Sequence, residues 1–262
     1  MNSHNLNELG LTQMPKLEQA MAWLVEHGPL HVDPDLPNWM LKALVRGGRI
    51  ARLRRGLYLA PTAEGHMLSL PAVATLLAPK GYLSFYGALT LQGLTDQETT
   101  RWAVVTDARQ GSITLGQQRL DFVPWPRRVR DADVRTHRRG DETIRIATPA
   151  QALADALEAP RYARSWPELV HIVRNGTGSG RLSARALRAR ALATASPALA
   201  RRLGFLLELE TGKVDAQLSA LAQRSNNWTR LAGLGEKTRV RDSRWRLELP
   251  RSREDLLAAV RE

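Results

Sequence analysis

Residues 38–61, "NWMLKALVRGGRIARLRRGLYLAP", constrain the fold of this chain more than any other stretch. Gly47-Gly48 ends a short helix, and Arg55-Gly56 is a tight turn between two runs typical of short strands. Ile50 and Leu53 cannot share one face of a regular strand, so the hairpin predicted over 49–60 is expected to contain a bulge. The pattern therefore predicts a helix followed directly by a β-hairpin rich in arginine.

A longer helix is predicted before this stretch. Pro15 suits the first helical position, and apolar residues from Leu17 to Val25 recur at helical spacing, so we expect a helix over 15–27. The prolines within 29–37 leave room only for a short turn or one helical turn. Helix, turn, helix and basic hairpin is the order of a winged helix-turn-helix, which places its second main helix in the major groove of DNA.

The outer face of the short helix carries the residues predicted to read DNA. Asn38, Lys42 and Arg46 are four residues apart and share this face; Asn38 suits adenine, and Arg46 suits guanine or a phosphate. Arginines of the hairpin would bind phosphates, which adds affinity but little sequence choice. The alternative is a protein-contact module with solvated arginines. The predicted DNA-binding residues are Asn38, Trp39, Lys42, Arg46, Arg49, Arg52, Arg54 and Arg55.

Helices and strands are both predicted in the remainder of the chain, so the fold class is α+β. Ser84, Thr148 and Ser165 are expected to cap helices, the last two within capping boxes. The glycine-rich "NGTGSG" over 175–180 is expected to be a flexible link between helices. The predicted helices lie at 69–79, 84–94, 149–158, 166–174, 183–194, 198–210 and 252–262, and the predicted strands at 102–106, 118–125, 143–147 and 244–250.

The formal net charge of +12 and the pI of about 11.0 favour a polyanionic partner. Residues 161–202 contribute nine basic and one acidic side chain to this balance. Spacings of three and four residues allow several of these arginines to share a helical face and to contact DNA or RNA, although a solvated helix pair is the alternative. The predicted secondary nucleic-acid contacts are Arg181, Arg185, Arg188, Arg190, Arg201 and Arg202.

No motif in the sequence indicates catalysis, so we expect neither catalytic residues, nor a metal site, nor a cofactor. The chain has no cysteine, its histidines are scattered, and the glycines of "NGTGSGR" lack the lysine of a phosphate-binding loop. The enzyme alternative is a nucleic-acid-processing protein, which would require a buried acidic cluster. Without a long apolar run or the charge pattern of a signal peptide, the chain is expected to be cytoplasmic.

Several segments in the same order resemble the AbiEi family of antitoxin regulators from bacterial type IV toxin–antitoxin systems. They are "GGRIARLRRGLYLAP", "YLSFYGALTLQGLTDQ", "IATPAQALADAL", "RRLGFLLELE" and "SRWRLELP". The resemblance implies a winged-helix domain over 1–66 that represses its own operon by binding inverted repeats in the promoter. It also implies a non-enzymatic, cytoplasmic and nucleoid-associated role in phage abortive infection. The α+β domain over 67–262 would counteract a nucleotidyltransferase-like toxin without forming a stable complex with it.

Overall fold

The computed structural model of this protein describes residues 5–163, 165–231 and 240–261, and it is a mixed α+β structure with three sheets. The N-terminal part of the chain consists of two helices and a small antiparallel sheet with the strand order β1-β3-β2. The elements of this part are α1 (Asn5–Glu26), β1 (Leu30–Val32), α2 (Asn38–Arg46), β2 (Ala51–Arg54) and β3 (Leu57–Leu59).

The predicted hairpin and its bulge are confirmed. The register of β2 against β3 shifts between Arg52 and Arg54. Ile50 and Leu53 are both buried, but they pack in two different hydrophobic clusters. Strand β1 was not predicted, because the prolines around it indicated only a turn. It pairs with β3 through three residues and extends the hairpin into a sheet.

The predicted start of the first helix is wrong. Helix α1 begins at Asn5, so Pro15 lies inside the helix and not at its first position. A proline removes one backbone hydrogen bond, at a cost of about 3 kcal/mol, but this local penalty does not force a helix to begin there. The apolar face is confirmed, since Ala20, Met21 and Leu24 are buried.

A six-stranded sheet forms the centre of the larger part of the chain, with the strand order β6-β7-β5-β4-β9-β8. Strand β5 is parallel to β7 and β4 is parallel to β9, whereas the other neighbours are antiparallel. The elements around this sheet are α3 (Leu70–Leu77), β4 (Tyr82–Ser84), α4 (Phe85–Leu91), β5 (Arg101–Thr106), β6 (Ile113–Leu115), β7 (Gln118–Pro124), α5 (Pro126–Arg130), β8 (Val134–Arg139), β9 (Glu142–Ala147) and α6 (Pro149–Glu158).

A helical region and a third, three-stranded sheet complete the described chain. Helix α9 is the buried centre of this helical region. Gly204 of α9 lies so close to Trp245 that a Cβ atom at position 204 would be 2.2 Å from the indole ring. The elements are α7 (Trp166–Gly178), α8 (Ala184–Thr194), α9 (Pro197–Thr211), α10 (Ala216–Ala222), β10 (Thr229–Arg230), β11 (Val240–Asp242), β12 (Leu247–Leu249) and α11 (Arg253–Arg261), after a 3₁₀ turn over Pro160–Tyr162.

Two of the three predicted serine and threonine caps differ from expectation. Thr148 caps α6 as predicted, because its hydroxyl accepts from the Gln151 amide. Ser84 instead donates to Asp155, and the Ser165 side chain makes no capping bond. The predicted link over 175–180 is also wrong in part, since α7 continues to Gly178.

The N-terminal sheet lies between two hydrophobic clusters. Leu53, Leu57 and Leu59 belong to the large cluster of the six-stranded sheet, whereas Ile50 and Tyr58 belong to a smaller cluster with α1 and α2. Both faces of the hairpin are therefore packed. The outer face of α2 points away from both clusters and is left in solvent. The division of the chain at residue 66 stays a prediction.

Candidate nucleic-acid interface

Helix α2 separates its apolar and polar residues cleanly. Leu41 and Leu44 are buried in the small cluster, while Asn38, Lys42 and Arg46 are exposed on the other side. The helix begins after Pro37 without a side-chain cap and ends at Gly47. The Arg46 guanidinium donates back to the Lys42 carbonyl at 3.3 Å, near the negative end of the helix dipole. The predicted reading face is thus free to contact a ligand.

Trp39 also lies on the surface of α2, with 39 % of its area exposed. It does not line the cavity that the neighbouring polar residues share. A contact between this indole and DNA stays a prediction.

The four arginines of the hairpin are not equivalent. Arg49 makes two hydrogen bonds to the Glu18 carboxylate, of 2.6 and 2.9 Å, and this pairing raises the pKa of Arg49 and lowers that of Glu18. Arg54 is half-buried and donates to the Gly111 carbonyl at 3.2 Å. Arg52 and Arg55 are exposed. The structure therefore leaves Arg52 and Arg55 as the hairpin guanidiniums best able to bind phosphate.

The hairpin tip is held by the segment before α2. The Asp33 amide donates to the Gly56 carbonyl at 2.6 Å, and the Asp33 carboxylate lies where a side chain at position 56 would be. Gly56 has a φ of +70°, a conformation that favours glycine. These contacts tie the backbone at the hairpin tip to the segment that precedes α2.

A cavity of about 610 Å³ opens between the outer face of α2 and strand β2. Three cations and one amide line it, together with apolar side chains, and none of the lining residues is acidic. The lining residues are Asn38, Leu41, Lys42, Val45, Arg46, Arg52 and Tyr58. The arrangement brings four of the predicted DNA-binding residues to one concave, positively charged surface.

The second predicted group of contacts does not form one surface. The prediction is wrong for Arg201 and Arg202, which are 2 % and 8 % exposed and donate to backbone carbonyls, including those of Ala222 and Leu157. Burial lowers the pKa of both side chains, that of Arg202 to about 10, which leaves Arg202 charged near neutral pH. They join α9 to its neighbours. The sequence could not show this, because every residue has a backbone carbonyl and the sequence does not tell which one a guanidinium contacts.

The other four arginines of this group have separate roles. Arg181 donates to the Gly93 carbonyl and Arg190 to the Asp131 carbonyl, each at 2.6 Å. Arg188 pairs with Asp215 at 3.1 Å, beside the exposed Arg185 in a cavity of about 360 Å³. Arg185 is the member of this group whose guanidinium is best placed to meet a polyanion.

A buried polar cluster under the six-stranded sheet was not predicted. The Asp155 carboxylate accepts from Tyr82, Ser84 and Gln151, and it pairs with Arg128 at 3.0 Å. Burial raises the pKa of Asp155 and lowers that of Arg128. The sequence feature that could have indicated this cluster was the four-residue spacing of Gln151 and Asp155, which puts both side chains on one face of α6. The cluster ties α6 to β4, because alternate residues of that strand point towards the helix.

One further group of potential ligands lies at the surface. Within the described ranges, Glu64, His66 and Asp141 hold ligand atoms within 4.8 Å of one another. His66 is oriented by Thr62 at 3.2 Å and faces Asp141 at 3.0 Å. Glu64 and Asp141 are exposed and His66 is half-buried, so these groups do not form the buried acidic cluster that the enzyme alternative requires.

Comparison with known proteins supports the fold. No family model matches the chain, and no curated protein matches it. Among solved structures, it is similar to the RV2827C protein from Mycobacterium tuberculosis, with a TM-score of 0.59 and 16 % identity over 94 % of each chain. The likeness covers almost the whole chain and concerns its architecture. No helix within the described ranges is long and apolar enough to cross a membrane.

Proposed function

We propose that this protein is a non-enzymatic transcriptional regulator that binds duplex promoter DNA through a winged helix-turn-helix over residues 1–66. Helix α2 enters the major groove, and the hairpin of β2 and β3 lies along the phosphate backbone. Asn38 and Arg46 contact base edges, while Lys42, Arg52 and Arg55 bind phosphates.

The observation that carries this proposal is the cavity between α2 and β2. Its polar lining is cationic or neutral, and its reading face is covered neither by the rest of the described chain nor by an acidic side chain. A duplex requires both features, since phosphates need uncompensated cations and base edges need donors within a groove. The order of helices and strands, with the abbreviated turn before α2, supports the same proposal.

The resemblance to AbiEi regulators extends the proposal to the rest of the chain. The protein would repress its own operon through inverted repeats, and residues 67–262 would act as the antitoxin against a nucleotidyltransferase-like toxin. We propose that this second activity works without a stable complex between the two proteins and takes place in the bacterial cytoplasm.

Titration of the protein with its own upstream DNA at two or more salt concentrations tests the DNA-binding proposal. We expect the double variant Arg52→Ala/Arg55→Ala to lower the slope of log affinity against log salt by up to about two units, because each lost phosphate contact removes roughly 0.9 units. The loss should be similar for all duplex sequences, since phosphates are shared by every base pair.

Arg138→Ala/Arg139→Ala is the matched control, because these two arginines are also exposed but lie on the edge strand β8. This control removes as many positive charges as the test variant does. Its slope of log affinity against log salt should equal that of the wild type. The proposal fails if both double variants change the slope equally, or if neither changes it.

A further inference from the structure

The small sheet near the C-terminus presents a charged outer face that the proposed function does not use. Arg230, Glu248 and Arg241 are direct neighbours across β10, β12 and β11, so their side chains form one row. The Arg230 and Arg241 side chains are 72 % and 65 % exposed. Leu247, beside this row on β12, is fully buried, which shows that the row faces outward.

An exposed aromatic side chain completes this face. Trp228 immediately precedes β10 and is 40 % exposed, and the Arg241 guanidinium lies over its ring at 4.9 Å from the centroid. Arg246 donates to the Ser225 carbonyl at 3.0 Å, which holds the segment that leads to Trp228. The indole and the guanidinium therefore form a preorganised stack.

Among the residues of this face that the structure describes, the charges are not balanced. Glu248 is shared by two guanidiniums, at 3.6 Å from Arg230 and 3.4 Å from Arg241, so one carboxylate faces two cations. Those distances are long for ion pairs, and each guanidinium retains donors that a second anion can accept from. Because Arg241 is mostly exposed, its outer surface is also open to another flat group.

We propose that this face binds single-stranded nucleic acid, with one base stacked on the pair Trp228 and Arg241 and a neighbouring phosphate bound by Arg230. Aromatic rings beside cations bind unpaired bases in this way because every base has a flat face. A duplex hides those faces between its base pairs, so this site differs in ligand from α2. The proposal does not depend on the DNA-binding role of α2.

Fluorescence anisotropy with the full-length protein tests the proposed binding of single-stranded nucleic acid. The probes are labelled oligothymidine and oligouridine of about 12 nucleotides, a length within the roughly 4–16 that such surfaces bind. An abasic strand of equal length carries the same phosphates without bases. Wild-type protein should bind the base-bearing strands more tightly than the abasic strand. Preference for uridine would assign the ligand to RNA and preference for thymidine to single-stranded DNA, and either supports the proposal.

We expect Trp228→Ala to weaken binding of the base-bearing strands about fivefold or more, and to leave abasic binding unchanged. Trp228→Phe should retain most of the affinity, while Arg230→Gln should weaken binding of all three strands. Trp23→Ala is the matched control, because Trp23 is 38 % exposed on α1 and lines neither the α2 cavity nor the face around Glu248. It should bind every probe like the wild type.

Three results would overturn the proposal. Equal wild-type affinity for base-bearing and abasic strands would show charge attraction alone. Unchanged thymidine and uridine binding by Trp228→Ala would show that the indole takes no part. Displacement of the oligonucleotides by polyglutamate of equal charge, at equal concentration, would assign the face to an acidic protein.

Discussion

Arginine has at least three different roles in this chain, and the environment of each side chain decides which. Arg52 and Arg55 extend into solvent, Arg49 is paired with Glu18, and Arg201 is buried among backbone carbonyls. All three kinds count equally in the formal net charge, because a guanidinium is positively charged in almost every protein environment. Net charge therefore overstates the charge that a partner meets, and the exposed arginines are the ones to test.

Asn38 and Lys42 are neighbours on α2, and the proposed function gives them different effects. Asn38→Ala should cost roughly 1–3 kcal/mol on the preferred operator and little on other sequences, because a bidentate contact to adenine is lost. Lys42→Ala should weaken binding to all sequences alike, because a phosphate contact carries no sequence information. Competition between specific and random duplexes measures both. Equal losses on both duplexes in Asn38→Ala would contradict a base-reading role.

At the scale of elements, the sequence predicted the features of helices and strands that depend on residues close together in the chain. The turn at Arg55-Gly56, the bulge at Leu53 and the cap at Thr148 each depend on residues close in the chain. Strand β1 and edge strand β8 were missed, because a strand of three residues or a strand of charged residues is defined by its partner. The same reason explains why α2 was found as a candidate site, whereas the row around Glu248 was not.

Glu208 shows how one buried carboxylate joins two helices and the turn between β11 and β12. It lies on α9 and accepts from the Trp245 indole at 2.5 Å, from Arg244 at 2.5 Å and from Arg253 of α11 at 2.8 Å. Burial alone would raise the pKa of Glu208, but these bonds outweigh it and lower the pKa below its ordinary value. The ionised form therefore stabilises the folded protein.

We expect Glu208→Gln to lower the free energy of unfolding at neutral pH by about 1.5–3 kcal/mol, as for hydrogen bonds to a charged group. A lowered folded-state pKa means that this stabilisation is present above the unfolded-state pKa of about 4.3 and is lost as the pH falls through the folded value. Urea unfolding should thus show a difference in the free energy of unfolding between the wild type and Glu208→Gln, and this difference should be smaller at acidic than at neutral pH. Glu254→Gln, at an exposed position of α11, is the control. A difference that is constant with pH would contradict this account.

At the scale of the whole molecule, the two proposed activities share one continuous structure. The sheet of β1, β2 and β3 packs on α1 and α2 through one face and on the large hydrophobic cluster through the other. A substitution in that sheet's apolar residues would disturb both sides. The exposed guanidiniums of Arg52 and Arg55 lie outside this packing, so their removal should leave the larger part of the chain intact.

This arrangement should make the proposed promoter binding and the proposed toxin neutralisation separable by substitution. In cells that carry a nucleotidyltransferase-like toxin from the neighbouring gene, Arg52→Ala/Arg55→Ala should derepress a reporter fused to the operon's promoter and still restore growth. The reason is that surface substitutions away from packing typically change stability by less than about 0.5 kcal/mol, so the larger part of the chain should remain folded. Immunoblotting should confirm equal protein levels. Loss of both activities at an equal level would show that neutralisation works through DNA binding, and retained repression would contradict the hairpin's proposed role.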